Sequence, residues 1–395
     1  MTIAEIQTVC FVGAGAMGCF NSLKAAVSGY TVVLHDNDSG HLQQASQRHL
    51  DVSGFLVATG YCTAQEISTA LKHITCEPDL ERAVADADLI SESVFERLDL
   101  KREVHQRLDE ISPVKTILTT NSSYLLLSDI EDVVARGDRI AAMHSYMASP
   151  LMDIVGGPRT SAATIDTLER YVESLNATPL VLRKEHRGYV LNAVLGPVLA
   201  TAMWLLVEKV ASIEEVDRAW MHQRSAPMGP LGILDLIGLG LVRDSWLERE
   251  DDGPIPGLRS GVLQLLDPLV TSGSLGMQSG SGFYQYPDPV YQQTGFLAAE
   301  PVREDVYEAL AVAMVAGALL VAQDNVADPV DIDRAWMIGT SLDKGPFAIL
   351  EQLGVPCFRS MFEQHVAAGR FDAEKACLVT EYLDGSAQPG QERLI

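Results

Sequence analysis

Positively charged residues are scarce in this 395-residue sequence. Lys and Arg together number 29 against 53 Asp and Glu, which gives a formal net charge of −24 at pH 7. Nucleic acids and anionic membrane surfaces attract proteins through clusters of positive charge. We therefore expect the chain to bind neither.

Paired cysteines and long apolar runs are missing as well. The six cysteines form no CxxC pair and no metal-ligand spacing, so the sequence predicts reduced thiols and no metal site. No lysine or arginine precedes Lys24, which argues against a signal peptide. We expect no apolar stretch as long as a membrane span, and a cytoplasmic protein.

The sequence does contain a dinucleotide-binding pattern. A predicted strand over residues 7–12 leads into a glycine-rich turn at 13–18, a helix, and a second strand that ends at Asp36. Gly13 permits the turn, Gly15 lets the backbone approach a pyrophosphate, and Gly18 lets the helix pack closely. The Asp36 carboxylate suits ribose hydroxyls and repels a 2′-phosphate, which favours NAD over NADP. The predicted cofactor-binding residues of this stretch are Gly13, Gly15, Ala16, Met17, Gly18 and Asp36.

Further strands alternate with predicted helices as far as about residue 182. We predict these strands near 88–92, 116–119, 139–143, 151–155 and 178–182. Such alternation predicts a parallel, doubly wound Rossmann-type sheet, in which ligands gather at the carboxyl ends of the strands. Glu92, Ser123 and His144 lie at or just after such ends.

The rest of the chain is predicted to be helical and internally repeated. Residues 213–221 recur as 329–337, with Asp-Arg-Ala-Trp-Met in both, and Gly229-Pro230 recurs as Gly345-Pro346. The constant offset indicates a duplicated module. We therefore predict an α/β domain over 1–183, followed by two all-α modules over 184–288 and 289–395.

The ordered motifs of the chain resemble those of the L-3-hydroxyacyl-CoA dehydrogenase family. Residues 144–150 occupy the place of the family's His-Phe-Phe-Asn-Pro-x-Pro, and 188–192 resemble Gly-Phe-Ile-x-Asn. The other matching segments, in family order, are residues 13–18, 92–96, 121–123, 228–230 and 275–284. The resemblance covers nearly the whole chain.

This resemblance implies an NAD-dependent oxidoreductase that interconverts a 3-hydroxyl and a 3-oxo group. His144 would be the general base, Ser123 would hydrogen-bond the substrate oxygen, and Asn192 would help to fix the substrate. An imidazole suits proton exchange at neutral pH. The residues that the resemblance places at NAD are Asp36, Glu96, Lys101 and Ser123.

Five of these residues also have a purely structural interpretation, and for Glu96 it is an acid in the first turn of the helix predicted over 97–111. His144 suits a strand end that is satisfied by the backbone, Ser123 suits a helix cap, and Lys101 suits a solvated helix face. Asn192 suits a hydrogen bond between helices. For His144 and Ser123, their occurrence together in family order favours the functional interpretation.

Three substitutions separate the chain from the family pattern, and the first puts Met147 in the place of the motif's asparagine. The family histidine works with a glutamate twelve residues later, where this chain has Gly156. Asp153 lies three positions earlier, so strand alternation predicts that it faces away. A family lysine that meets CoA phosphates falls at or near Thr59. We expect an intact cofactor half and a substrate half that has diverged.

Three functions remain open from the sequence. The first is a 3-hydroxyacyl thioester dehydrogenase; the second is a dehydrogenase for a free or carrier-bound 3-hydroxy metabolite; the third is an NAD-binding protein that has lost hydride transfer. The expected partner is a small-molecule or acyl-thioester substrate. Because single-copy relatives dimerise through the helical domain, the second copy is expected to mimic a dimer internally, with a monomer or a homodimer as the assembly.

Overall fold

The protein is described by a computed structural model over residues 6–147, 149–249, 253–299 and 302–385. The chain divides into two compact units, Met1–Tyr189 and Val190–Ile395. The predicted boundary after residue 183 lies shortly before this division, and the one after 288 lies within the second unit and stays a prediction. Residue 148 of the histidine motif and residues 386–395 of the predicted third domain lie outside the described residues.

The first unit contains an eight-stranded sheet. Its strand order is β3-β2-β1-β4-β5-β6-β7-β8. Strands β2 and β3 are therefore added on one side of β1, and the chain then crosses over and adds β4 to β8 on the other side. Strand β3 was not predicted from the sequence. The strands are β1 (Thr8–Val12), β2 (Thr31–His35), β3 (Ile74–Cys76), β4 (Leu89–Glu92), β5 (Ile117–Thr120), β6 (Ile140–Ser145), β7 (Leu151–Gly156) and β8 (Thr178–Val181).

Helices cover both faces of this sheet. Val9 and Phe11 of β1 belong to one apolar cluster, whereas Cys10 and Val12 belong to another. Successive strand residues point to opposite faces, so β1 is buried on both sides, as in a parallel α/β sheet. The helices of this unit are α1 (Ala16–Val27), α2 (Ser39–Ala58), α3 (Ala64–Ala70), α4 (Leu80–Val84), α5 (Leu98–Ile111) and α6 (Ala162–Ser174).

One strand pair departs from the predicted parallel arrangement. Strands β6 and β7 pair antiparallel, whereas the other neighbouring strands in the sheet pair in parallel. The link 146–150 is too short for the crossover that parallel neighbours need. The expectation of a wholly parallel sheet was therefore wrong at this pair, and the error bears directly on the site.

The described part of the second unit is helical apart from two isolated bridges that join residues 276, 281 and 285. Its helices are α7 (Leu191–Val207), α8 (Ile213–Arg224), α9 (Pro230–Ile237), α10 (Leu239–Glu248), α11 (Leu258–Thr271), α12 (Glu304–Gln323), α13 (Pro329–Thr340), α14 (Pro346–Leu353), α15 (Val355–Ala367) and α16 (Ala373–Leu383).

The repeated sequence motif forms the same local structure twice. Asp217 on α8 accepts hydrogen bonds from two backbone N–H groups at the start of α9, at 2.8 and 3.0 Å. Asp333 on α13 does the same for α14, at 2.7 and 3.0 Å. A Cβ on Gly229 or Gly345 would lie 2.3 or 2.2 Å from the facing carboxyl carbon. The recurring Gly-Pro therefore lets a carboxylate, buried at Asp217 and half-buried at Asp333, cap the next helix.

Helix α12 of the second unit is both long and apolar. By length and composition this helix is able to cross a membrane, contrary to the expectation that no apolar stretch reaches that length. Within its apolar stretch of 18 residues, however, 78% is buried inside the protein. Its Gly317 crosses α7, where a Cβ would lie 3.2 Å from the Ala193 carbonyl oxygen and 3.3 Å from Pro197 Cγ. The close crossing is typical of a core helix.

Candidate active site

The glycine turn after β1 has the geometry of a phosphate-binding loop. Gly13 has φ +108°, and a Cβ there would lie 2.5 Å from the Ser93 carbonyl oxygen. A Cβ on Gly18 would lie 1.7 Å from the Gly13 oxygen. At Gly15, by contrast, nothing lies within 4 Å of the Cβ position. Gly13 and Gly18 are therefore needed for close packing, whereas Gly15 leaves space for a ligand to approach the protein backbone.

The N-terminus of α1 is available to an anion. The helix begins at Ala16 with Gly15 as its N-cap, and no side chain caps it and no acidic residue lies in its first turn. Its first N–H groups and the positive end of the helix dipole attract phosphate. These residues fit the pyrophosphate of a dinucleotide, and their contact with NAD stays a prediction.

Asp36 closes β2 and is held beside the turn. Its carboxylate accepts hydrogen bonds from the backbone N–H of Ala14 at 2.8 Å and of Asp38 at 2.9 Å, and His41 Nδ1 lies 3.1 Å away. Burial alone would raise the pKa of Asp36, but these three partners outweigh it and lower the pKa. The carboxylate is thus kept charged where a ribose would bind.

Arg48 on α2 also fastens the glycine turn, and sequence reasoning missed it. Its Nη1 donates to the Ala14 carbonyl oxygen at 2.6 Å, and its Nη2 donates to Gln44 at 2.8 Å. Both backbone polar groups of Ala14 are therefore hydrogen-bonded, the N–H to Asp36 and the C=O to Arg48. This contact depends on how α2 packs over the turn, so no local sequence pattern predicts it.

His144 at the end of β6 contacts a serine and an aspartate. Its Nε2 lies 3.0 Å from Ser123 Oγ, and its Nδ1 lies 3.4 Å from Asp153 Oδ2. The His144 and Asp153 side chains are 4% and 0% exposed, whereas Ser123 is exposed. An acceptor at Nδ1 keeps the proton on that nitrogen and leaves the Nε2 lone pair directed at Ser123.

The prediction that Asp153 faces away was wrong. In the antiparallel β6–β7 pair, Asp153 lies directly opposite His144, and Gly156 lies opposite Ala141. Paired residues project to the same face of a sheet, so the position across the pair decides the contact rather than counting along one strand. The short link 146–150 was the signal that could have given this answer.

Two tyrosine rings enclose the imidazole, and neither was singled out from the sequence. Tyr189 stacks on His144 at 4.8 Å between ring centroids with 16° between planes, and its hydroxyl donates to the Ser122 carbonyl oxygen at 2.7 Å. Tyr146 meets the ring edge-on at 4.5 Å and 81°, and its hydroxyl donates to Asp153 Oδ2 at 2.5 Å. The imidazole is therefore held on several sides.

Glu96 organises the turn that carries Ser123. Its Oε1 accepts hydrogen bonds from the backbone N–H of Ser123, Tyr124 and Leu125 at 3.1, 2.9 and 3.2 Å, and from the Ser122 hydroxyl. This carboxylate therefore fixes the loop next to the serine. Its predicted contact with NAD stays a prediction.

Lys101 is buried and contacts the Glu96 carboxylate that fixes this loop. Its ammonium is 2.7 Å from Glu92 Oε1 and 3.4 Å from Glu96 Oε2, and its side chain is 1% exposed. His105 Nε2 lies 3.3 Å from the other Glu92 oxygen. Burial alone would raise the pKa of Glu92, but Lys101 and His105 outweigh it and lower the pKa to about 2. A direct contact between Lys101 and NAD stays a prediction.

Two more residues singled out from the sequence are Asn192 and Thr59. Asn192, half-buried in the first turn of α7, belongs to the second unit, and its contact with substrate stays a prediction. Thr59 caps the C-terminus of α2 and hydrogen-bonds the backbone of that helix. Among the described residues, no group of three or more His, Cys, Asp or Glu side chains is arranged to hold a metal.

The sequence matches both domains of one family. Residues 8–186 match the 3-hydroxyacyl-CoA dehydrogenase NAD-binding domain. Residues 188–286 and again 306–392 match the C-terminal domain of 3-hydroxyacyl-CoA dehydrogenase. Together the matches cover most of the chain.

Individual relatives agree with these matches. The chain is 31% identical over 297 residues to the mitochondrial hydroxyacyl-coenzyme A dehydrogenase of Mus musculus, which covers 71% of this chain and 91% of that protein. It is 30% identical over 282 residues to a 3-hydroxybutyryl-CoA dehydrogenase of Clostridioides difficile, covering 70% and 98%.

Solved structures share the fold. A diketoreductase is similar with a TM-score of 0.66 and 31% identity over 72% of this chain and all of that one. A 3-hydroxybutyryl-CoA dehydrogenase of Escherichia coli, at 23% identity, shares the fold over 97% of this chain and 99% of its own, with a TM-score of 0.75. The chain therefore belongs to the 3-hydroxyacyl-CoA dehydrogenase family of NAD-dependent oxidoreductases.

Proposed function

We propose that this chain interconverts a 3-hydroxyl and a 3-oxo group on an acyl thioester, with His144 as the acid and base. Gly13, Gly15, Gly18 and Asp36 would hold NAD, which would supply hydride exchange with the substrate carbon in either direction. The contact between His144 Nε2 and Ser123 Oγ, 3.0 Å long, is the observation that carries the proposal. It lies at the same sheet edge as the glycine turn, because the strands β1, β4, β5 and β6 run parallel.

Each residue has a definite part in this proposal. In oxidation the substrate O–H proton passes to His144 Nε2 as the carbon–hydrogen bond breaks, and in reduction the same nitrogen returns it. Ser123 Oγ donates a hydrogen bond to the substrate oxygen and stabilises the negative charge that develops there. Asp153 accepts from Nδ1 and stabilises the imidazolium. Glu96 keeps Ser123 in place through the backbone of its turn.

A second candidate substrate is a free or carrier-bound dicarbonyl compound. The diketoreductase similar to this chain acts, by its description, on dicarbonyl compounds. Thr59 stands at or near the place of the lysine that meets CoA phosphates, and Lys72 is the only lysine within 49–75. Exchanging a cation for a threonine in a chain of net charge −24 weakens attraction for CoA phosphates.

One assay separates these candidates. NADH consumption is followed with acetoacetyl-CoA, with a short N-acetylcysteamine thioester of the same acyl group, and with free 3-oxo acids and esters. Preference for the CoA thioester supports the first candidate, and equal use of the short thioester or preference for free compounds supports the second. An inactive protein that still binds NADH would support loss of hydride transfer.

We also propose that the second helical copy completes an internal pseudo-dimer. Trp220 and Trp336 occupy equivalent places in the repeat, and their rings meet at 6.3 Å between centroids and 72° between planes. Equivalent residues touch each other only near a two-fold axis, as in a symmetric dimer. Light scattering is expected to give a monomer of 42.8 kDa; a stable dimer would argue against it. Cytoplasmic localisation stays a prediction.

A further inference from the structure

A single carboxylate oxygen next to His144 serves two donors. Asp153 Oδ2 lies 2.5 Å from the Tyr146 hydroxyl oxygen and 3.4 Å from His144 Nδ1. We propose that Tyr146 is a positioning residue that weakens the hydrogen bond between Asp153 and His144. In this way it sets the pH at which His144 exchanges its proton. The importance of this pH for turnover rests on the proposed function, whereas the effect of Tyr146 on His144 does not.

The two distances show which donor Asp153 favours. A separation of 2.5 Å falls in the range of strong hydrogen bonds from a hydroxyl to a carboxylate, whereas 3.4 Å is near the outer limit for a nitrogen donor. The second oxygen, Oδ1, is buried and makes no hydrogen bond with the described residues. Both donors therefore depend on Oδ2, and a stronger bond to one weakens the bond to the other.

In the described part of the chain, the hydrogen bonds and ion pairs of the His144 ring reach one charged group, Asp153. The groups that face His144 are Asp153 from β7, Tyr146 from the turn after β6, the stacked Tyr189 ring and Ser123 from the turn after β5. Among the described residues, Glu96 meets this turn through its backbone N–H groups rather than the imidazole. The Tyr146 hydroxyl is thus the group best placed to modulate Asp153.

Two departures from the family pattern bear on this contact. Tyr146 stands where the family pattern has phenylalanine, and Gly156 stands where it has the glutamate. The carboxylate has therefore moved to position 153, and a hydroxyl that binds it has appeared at position 146. Restoring phenylalanine removes only the hydroxyl and keeps the ring edge against His144, so Tyr146→Phe is a mild variant.

The test is an NMR titration of the apo protein, with histidine carbon-13 labelled at Cε1. The His144 signal is assigned by its loss in His144→Gln. In Tyr146→Phe, Oδ2 is left to His144, the imidazolium is better stabilised, and the titration midpoint of His144 moves to higher pH by about 1 unit. In the control Tyr189→Phe, which loses a hydroxyl that binds Ser122, the midpoint stays within about 0.2 units.

A double-variant cycle removes the remaining ambiguity. In an Asp153→Asn background, the Tyr146→Phe shift is expected to vanish, because no carboxylate remains to be shared. A shift that persists there, an unchanged midpoint in Tyr146→Phe, or a shift to lower pH would each overturn the proposal. Since these titrations need neither substrate nor NAD, they stand or fall independently of the oxidoreductase assays.

Discussion

Asp153 lies directly across the antiparallel β6–β7 pair from His144, with its Oδ2 3.4 Å from the imidazole Nδ1. The acid that the family pattern supplies twelve residues after the histidine is therefore supplied here from the facing strand position. Because Asp153 is fully buried, its charge acts on the imidazole at low effective dielectric. The substitution at Gly156 therefore does not leave the histidine without an acidic partner.

Replacing this acid is expected to slow catalysis strongly. Asp153→Asn keeps the side-chain size but removes the charge that orients and stabilises the imidazolium, so kcat is expected to fall by about 10²–10⁴-fold. NADH binding, measured by fluorescence, is expected to change little. Asp138→Asn, at an exposed aspartate, is the matched control and is expected to keep its activity. A kcat near that of the natural protein in Asp153→Asn would contradict this role.

Restoring the family glutamate at position 156 is expected to fail. Gly156 lies opposite Ala141 rather than His144, and a Cβ there would come 2.8 Å from Thr160 Cβ. Overpacking of this kind costs roughly 1–3 kcal/mol of stability. Gly156→Glu is expected to lower Tm and, combined with Asp153→Asn, to leave kcat low. Recovery of activity in that double variant would show that the acid belongs at position 156.

Asp36 is expected to determine the choice between NADH and NADPH. Asp36→Asn removes the charge that repels a 2′-phosphate, and it weakens acceptance of the ribose hydroxyls. We expect the Kd for NADH to rise about tenfold, equivalent to about 1.4 kcal/mol, and the discrimination against NADPH to narrow. Titration calorimetry with both nucleotides measures this. Unchanged discrimination in Asp36→Asn would place the ribose elsewhere.

The buried Lys101–Glu92 pair makes stability depend on pH. The pKa of Glu92 is lowered from 4.5 to about 2, so its stabilisation is present above about pH 4.5 and is lost as the pH falls toward 2. Lys101→Met removes the lysine partner of the buried Glu92 carboxylate and is expected to cost about 3–5 kcal/mol near neutral pH.

The cost of Lys101→Met is expected to shrink near pH 3, because Glu92 then protonates readily without its partner. Urea unfolding followed by circular dichroism at both pH values measures it. Lys115→Met, which breaks the pair between an exposed lysine and the half-buried Asp88, is the control and is expected to cost no more than about 1 kcal/mol. A penalty that does not depend on pH would contradict the assignment.

The cofactor half of the site could be predicted from sequence because its signals are local. Gly13, Gly15, Gly18 and Asp36 belong to one strand–turn–helix–strand unit, and the spacing alone requires them to come together. Arg48 was missed because its contact with Ala14 depends on the packing of α2, which no local pattern reports.

The acid of the catalytic half could not be predicted by counting along one strand. His144 and Ser123 follow from strand ends, but the Asp153 contact follows from the direction of β7, and the predicted parallel sheet had that direction wrong. Tyr146 and Tyr189 drew no attention because aromatic residues near a sheet are usually core. In each case the deciding contact joins separate elements, so its geometry appears only once those elements are packed.

The central claim is that His144, oriented by Asp153, exchanges the substrate proton while NAD is bound nearby. Stopped-flow NADH oxidation by the natural protein and by His144→Gln, with NADH binding measured on the same samples, tests it most directly. We expect His144→Gln to bind NADH with similar affinity and to lose about 10³-fold or more of the hydride-transfer rate. Hydride transfer at the natural rate in His144→Gln would contradict the claim.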